Sequence, residues 1–322
     1  MTKMHMVNAI NNAIDLAMQK NENIVVLGED VGVDGGVFRV TDGLIQKYGE
    51  ERVIDTPIAE SGIVGCSIGM ATAGLRPIAE MQFSGFSYQA FAQIKQHAAR
   101  WRQRTKGTTS CPIIIRMPMS GGIRALEHHS ESPETFYIHC QGLKVVMPST
   151  PKKAKGLLLA SLEQNDPVIF LEPKKIYRSF KEEVDDAEFT IELEKCDIVK
   201  EGKQLTIITW GAMVHETIKA VEESQTDAEI IDLQTLWPLD EDTIIQSVQK
   251  TGKAMIVHEA TRTAGFGAEI GFRIQQKCLY NLEAPVMRVT GPDVPFPQFA
   301  QENYFLPNKE KIKNAIKEIM QN

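Results

Sequence analysis

Glu60 is the residue whose neighbours best suit it to proton chemistry. It opens ESGIVGCSIGMATAG (60–74), a stretch of aliphatic and small residues in which it is the sole charged group. A lone carboxyl at the edge of such a wall should hold its proton more tightly than in water, which suits acid–base work. A glutamate favoured by the dipole at a helix start is the competing account, and the residues alone leave both open. Gly62, Gly65 and Gly69 each cost about 1 kcal/mol relative to alanine inside a helix. Close approach of another backbone or of a flat ligand has to offset that. Glu29 and Asp30 end the aliphatic run IVVLGED (24–30), and strand ends of this kind carry sites in α/β folds; solvated loop acids are the bland alternative.

His128, His129 and His139 flank a glycine-rich loop, where an imidazole can move protons near neutral pH. His128 and His129 are adjacent and no H-E-x-x-H occurs, which argues against zinc. On an extended segment adjacent side chains point to opposite sides, so only one of the two rings should face a given pocket. His139, within YIHC, reads as a satisfied core histidine. Gly265, Gly267 and Gly271 imitate a dinucleotide fingerprint, but their spacing is too long and the strand end too distant; close helix packing explains them. Gly32, Gly35 and Gly36 lack a phosphate-cradle spacing, and no nucleophile elbow occurs.

These groups need elements to hold them. Val7, Ile10, Ile14, Ala17 and Met18 recur at helical spacing and predict a helix over ~6–19. The run 24–30 reads as a buried parallel-type strand. Residues 52–55 form a second strand before Thr56-Pro57, the glycine-rich helix follows, and Pro77 leads into another strand. Phe86 to Thr105 reads as one long helix with Arg100, Arg102, Arg104 and Lys106 gathered at its end, where cations are favoured. Cys111–Pro118 is a buried strand that empties into SGGIRALEHHSESPE, with Ser132 as N-cap and Pro133 at the first helical position. LKVVMPS, a helix over ~151–164 and PVIFLEP continue a strand–helix alternation. Residues 1–180 thus form one domain, 181–197 an acidic linker, and 198–322 a smaller α/β domain with its own alternating series.

Composition narrows the class. Of 322 residues, 43% are hydrophobic and 24% charged, ordinary for two globular domains. A net charge of −7 leaves no basic excess for nucleic acid. Five scattered cysteines, odd in number and without C-x-x-C, fit reduced thiols in a cytoplasmic setting. No apolar run is long enough to span a membrane, and Met1 leads almost at once into an amphipathic helix, without room for a signal peptide.

DTPIAESGIVGCSIGMA, GEDVG near Glu29, GGVFRVT near Phe38, HSESPE near His129, GLKVVMPSTPKKAKGLL and LEAPVMRVTGPDVPFP span nearly the whole chain. Together they resemble the beta subunit of 2-oxo acid dehydrogenase decarboxylase components, which use thiamine diphosphate. The resemblance implies an α/β fold: a pyrimidine-binding thiamine-diphosphate domain with a parallel sheet, then a smaller transketolase C-terminal-type domain. It implies that Glu60 bonds the cofactor's aminopyrimidine, that Ile58 and Phe86 contact that ring, and that His129 faces the substrate side. Glu29 would border an acidic passage joining paired sites, although Ala92 stands where the family usually has aspartate. A structural potassium ion would be held near Cys111, Ile113, Ile114, Ser161, Gln164 and Asp166. The chain has no G-D-G run followed by asparagine, the usual metal–diphosphate motif, so the resemblance assigns diphosphate and magnesium to a separate alpha subunit in a unit of two alpha and two beta chains. It implies oxidative decarboxylation of pyruvate or a branched-chain 2-oxo acid, with acyl transfer to lipoyl groups of a dihydrolipoyl acyltransferase core. A non-catalytic scaffold that only binds partner chains is the rival from another class.

Overall fold

The computed structural model of the chain describes residues 1–321. In the first half the strands are β1 (Thr2–Met4), β2 (Ile24–Gly28), β3 (Val53–Asp55), β4 (Arg76–Glu80), β5 (Ile114–Met119), β6 (Lys144–Val146), β7 (Val168–Pro173) and β8 (Glu182–Val184). The second half adds β9 (Asp197–Lys200), β10 (Leu205–Thr209), β11 (Ala228–Asp232), β12 (Thr235–Trp237), β13 (Ala254–Thr261) and β14 (Met287–Gly291). A seven-stranded sheet runs β12-β6-β7-β5-β4-β2-β3 and a five-stranded sheet runs β14-β13-β10-β11-β9. Both are parallel except at one edge each, where β12 pairs antiparallel with β6 and β9 with β11. This is an α/β fold built on two largely parallel sheets.

The strands at the sheet centres are buried on both faces, which is why IVVLG, IIRMPM and VIFLEP read as near-continuous apolar runs. Helices Met6–Lys20 and Pro151–Leu162 pack together on one side of the larger sheet. The Thr150 hydroxyl caps the second of them by accepting from the Lys153 amide, with Pro151 pre-set at the first helical position. Helix Glu60–Thr72 is packed by the Phe86–Ala90 turn. No helix among the described residues is long and apolar enough to cross a membrane.

Three local expectations need correction. The single helix expected over 86–105 is instead a 3-10 turn (Phe86–Ala90), a π-helical turn (Gln93–Ala98) and a short α-turn (Trp101–Arg104). The wider π spacing, closed by the Ala99 amide on the Ile94 carbonyl (2.9 Å), keeps Ile94, Ala98 and Ala99 all buried. Ser132 does not cap the following helix: Pro133 occupies the cap position of Glu134–Ile138, with no side-chain cap. His139 is exposed at the end of that helix rather than in the core. One strand of the second half, β12, lies at the edge of the larger sheet. Within the acidic 181–197 segment, β8 pairs with β1, and the Lys155 ammonium donates to the carbonyls of Asp185 (2.6 Å) and Asp186 (3.1 Å).

Candidate active site

The site forms at the carboxyl ends of the parallel strands. Chain leaving β2 turns at once, since a Cβ on Gly28 would lie 2.8 Å from the Glu80 carbonyl oxygen. The next residue, Glu29, is therefore delivered under the start of helix Glu60–Thr72. The loop after it is tied down by Asp55 at the end of β3, whose carboxylate accepts from the amides of Gly32 (2.6 Å) and Val33 (3.0 Å). Glu60 opens its helix and is only 5% exposed. It is not a lone acid. Burial lifts the Glu29 carboxyl above the ordinary range, and the charges of Glu60 and Asp30 lift it further, against a hydrogen bond from the Ala59 amide. Glu29 Oε1 and the Thr56 hydroxyl are buried without a hydrogen-bond partner among the described residues. Ile58, in contrast, is 84% exposed.

A second group of rings stands where the Phe86–Ala90 turn meets the histidine loop. His129 lies edge-on against Phe83 (4.4 Å between centroids) and Phe86 (5.3 Å). Burial, then the positive charges of His128 and Lys174, hold its pKa below the usual imidazole value, and its Nδ1 is buried without a partner among the described residues. The rings of His128 and His129 are 4.4 Å apart, and His128 also reaches Phe86 at 5.5 Å. Glu127–His129 forms a 3-10 turn rather than an extended segment. Three residues per turn do not send neighbouring side chains to opposite sides, so the expected separation of the two rings fails. Asp30 accepts from the Gln82 amide at 3.3 Å, linking the acid end of the site to the segment that leads to Phe86.

Sequence reasoning missed the buried polar frame beneath these groups. Arg116 is fully buried between Glu172, which it grips with two bonds (2.6 and 2.8 Å), and Glu80 (2.5 Å). One charge in each of three aliphatic runs, PIAE, IIIR and IFLEP, was the available signal. The six residues expected near a potassium ion lie in two adjacent segments, the entry to β5 and the end of helix Pro151–Leu162 with the chain after it, where the Cys111 amide donates to the Asn165 carbonyl (3.2 Å). There the Gln164 carbonyl accepts from Arg76 (2.9 Å), the Ser161 carbonyl from the Gln164 amide (3.1 Å), the Ile113 carbonyl from the Val168 amide (3.0 Å), and Asp166 pairs with Arg102 (2.6 Å). Ile114 continues from Ile113 into β5. Ala92 is exposed and offers no carboxylate to a relay.

Glu134 and Glu259 are further buried acids the sequence did not flag. Burial and the neighbouring Glu259 push Glu134 up to about 8, against a bond from Trp210, and one of its oxygens has no partner among the described residues. The native state thus keeps a proton that the unfolded chain releases above its ordinary carboxyl pKa. The stability contributed by that proton falls as pH rises from about 4.5 and levels off near 8. Glu134→Gln is therefore expected to stabilise the chain by on the order of 1–3 kcal/mol at pH 8 and by little at pH 4.5. Urea melts at both values check this; a gain independent of pH would point to packing rather than proton linkage.

Residues 2–179 match the transketolase pyrimidine-binding domain family, and residues 194–312 match the transketolase C-terminal domain family. The fold and these two matches together define a transketolase-type, thiamine-diphosphate-dependent protein. Over 317 residues the chain is 50% identical to the pyruvate dehydrogenase E1 component subunit beta of Acholeplasma laidlawii, covering 98% of this chain and 97% of that one. It is 47% identical to the same-named subunit of Bacillus subtilis (strain 168) over 324 residues, the full length of both. A solved split-gene transketolase, described as an inactive beta4 tetramer, shares the fold with a TM-score of 0.79 at 21% identity, covering 99% of both chains. The chain belongs to the family of beta subunits of thiamine-diphosphate-dependent 2-oxo acid dehydrogenase decarboxylase components, and these full-length relatives are of the pyruvate type.

Proposed function

We propose that this chain is the pyrimidine-holding half of a cytoplasmic pyruvate decarboxylase unit made of two alpha and two beta chains. The observation that carries the reading is Glu60, buried at a helix start beside Glu29 and its unpartnered oxygen. Buried polar atoms without partners are costly, and a flat heterocycle carrying ring nitrogens and an amino group suits them. Glu60 would meet that ring with its carboxyl group, Phe86 and Ile58 would offer apolar contact, and Glu29 would sit at the mouth of the passage toward the second site. Bound thiamine diphosphate supplies the electron sink that lets a 2-oxo acid lose carbon dioxide. An alpha chain would hold the diphosphate and magnesium, and a dihydrolipoyl acyltransferase core would take the acyl group. The segments Cys111–Ile114 and Ser161–Asp166 would take a potassium ion through their carbonyls. We also propose the division into 1–180, 181–197 and 198–322. The glycine face of helix Glu60–Thr72 supports assembly: a Cβ would meet nothing within 4 Å at Gly69 and only ordinary contacts at Gly62 (Ala59 Cβ, 3.6 Å) and Gly65 (the Gln93 side chain, 4.0 Å), so among the described residues none makes the expected close approach.

The test is to assay this chain alone, and mixed with an alpha chain, on pyruvate and on a branched 2-oxo acid. Pyruvate turnover only in the mixture is the expected outcome. Tight magnesium-dependent cofactor binding by the chain alone would sink the shared-site reading, and no cofactor binding in the mixture would leave a scaffold.

A further expectation concerns the histidines. Opening a lipoyl disulfide releases a thiolate that needs a proton, and an imidazole can supply it. His129→Ala should therefore impair acyl transfer to lipoyl more than decarboxylation read with an artificial electron acceptor. Because the two rings touch, His128→Ala should raise the titration midpoint of His129 by removing a neighbouring positive charge. Equal losses in both half-reactions for His129→Ala would reduce that residue to packing.

A further inference from the structure

We propose that Lys174 is a positioning residue for His129: its ammonium bridges the Ser120 and His129 carbonyls and fixes the loop that carries the imidazole. This deepens the functional reading above and rests on it only where His129 acts on substrate.

The loop from Ser120 to His129 has little local reason to hold one shape. Ser120 (φ 72°) and Arg124 (φ 57°) are non-glycine residues in the left-handed region, a conformation that persists only where surroundings impose it. Two sets of contacts impose it here. From the second half of the chain, Glu302 accepts from the amides of Gly122 and Arg124 (2.9 Å to the latter), and Glu259 accepts from the Gly121 amide at 3.2 Å. From the end of β7, Lys174 Nζ donates to the Ser120 carbonyl (2.7 Å) and to the His129 carbonyl (2.6 Å). One side chain therefore closes both ends of the loop. The same ammonium lies 5.5 Å from the centre of the Phe83 ring, the ring whose edge contact sets the tilt of His129.

Lys174 is a poor choice if stability alone were at stake. It is only 3% exposed, and its hydrogen-bond partners among the described residues are those two carbonyls. Burial pushes its pKa down to about 7, against the pull of Glu259 and Glu302. A buried charge with such partners adds little net stability over an apolar side chain of similar size. What it adds is a fixed geometry: two carbonyls nine positions apart are held at one point, with a positive charge close enough to lower the His129 pKa.

The experiment uses the full chain. Arg124 is exposed in the loop, so limited trypsin digestion reports its opening through fragments 1–124 and 125–322. Lys174→Met should speed that cleavage roughly tenfold or more, the factor expected from losing hydrogen bonds to a charged group. It should also raise the His129 midpoint read by NMR, while Lys174→Arg, which restores a charged donor, should return both readouts toward the parent. A folded Lys174→Met chain with unchanged cleavage and unchanged midpoint overturns the proposal. If Lys174→Met does not fold, Lys174→Gln is scored in its place; failure of both to fold would make Lys174 a requirement of the whole fold and also overturn it. In the complex with an alpha chain, the lipoyl half-reaction is then measured. Loop and midpoint changes without a lipoyl defect would uphold the clamp and defeat the proposed role of His129, so the two failures are distinguishable.

Discussion

Glu60→Gln is expected to lower pyruvate turnover of the assembled enzyme by roughly 10²-fold or more, the scale on which an acid–base group contributes. Its melting temperature should be nearly unchanged. Glutamine keeps the length and can still hydrogen-bond a ring nitrogen, but it cannot give up and retrieve a proton there. Residue 60 makes no capping bond and its helix keeps Ala59 at the cap position, so the fold does not depend on the carboxylate. The substitution also removes a negative charge beside Glu29, one of the causes that lift the Glu29 carboxyl. The Glu29 pKa should therefore fall in the variant, a change that infrared titration of the chain alone can follow. Near-normal turnover in a folded, assembled variant would falsify the catalytic assignment and leave Glu60 as a helix-end charge.

Arg116→Met should destabilise the chain by about 3–5 kcal/mol, the usual result of removing one partner from a buried ion pair. Glu172 is fully buried and Glu80 is 3% exposed, and both lose the one cation that pairs with them among the described residues. Burial already pushes Glu80 up, with Arg116 opposing it, so without the arginine at least one carboxyl must take a proton. The Tyr177 hydroxyl, which donates to Glu172 at 2.5 Å, cannot substitute for a guanidinium bonded to both acids. The loss should grow with pH, because protonation relieves the uncompensated charge at low pH and not at high pH. A chain carrying Glu80→Gln and Glu172→Gln with Arg116→Met should recover part of the stability, since the cost lies in the stranded charges rather than in lost packing. A single-variant loss below about 1 kcal/mol in urea melts would show that water reaches the cluster.

Much of the scaffold was legible in the chain itself. Strands buried on both faces must be aliphatic along their whole length, so β2, β5 and β7 announced themselves as IVVLG, IIRMPM and VIFLEP. The helix at Glu60 was marked by Thr56-Pro57 before it and by small apolar residues along it, and the spacing of His258 and Gly265 correctly argued for packing. A Cβ on Gly267 would lie 2.7 Å from the His258 ring. Glu60 itself was legible because a charge is conspicuous against such a background.

What the chain could not disclose is which polar groups meet. Glu29 and Glu60 become neighbours only because β2 and β3 are adjacent and parallel, so that the ends of both deliver their next residues to one edge. Arg116 meets Glu80 in register across β4 and β5, while Glu172 sits two positions beyond Phe170, the β7 partner of Arg116, on the same face. The same limit explains the broken 86–105 segment, whose apolar spacing fits a helix but whose turns bend to keep Ile94, Ala98 and Ala99 inside together. It explains the Glu127–His129 turn as well, since Lys174, just past β7 and 45 positions further along the chain, holds the His129 carbonyl. Periodicity in a sequence reports how deeply each position is buried, because burial is a property of one element against an average interior. Pairing of charges depends on strand order and on crossovers dozens of residues long, and no local pattern encodes those.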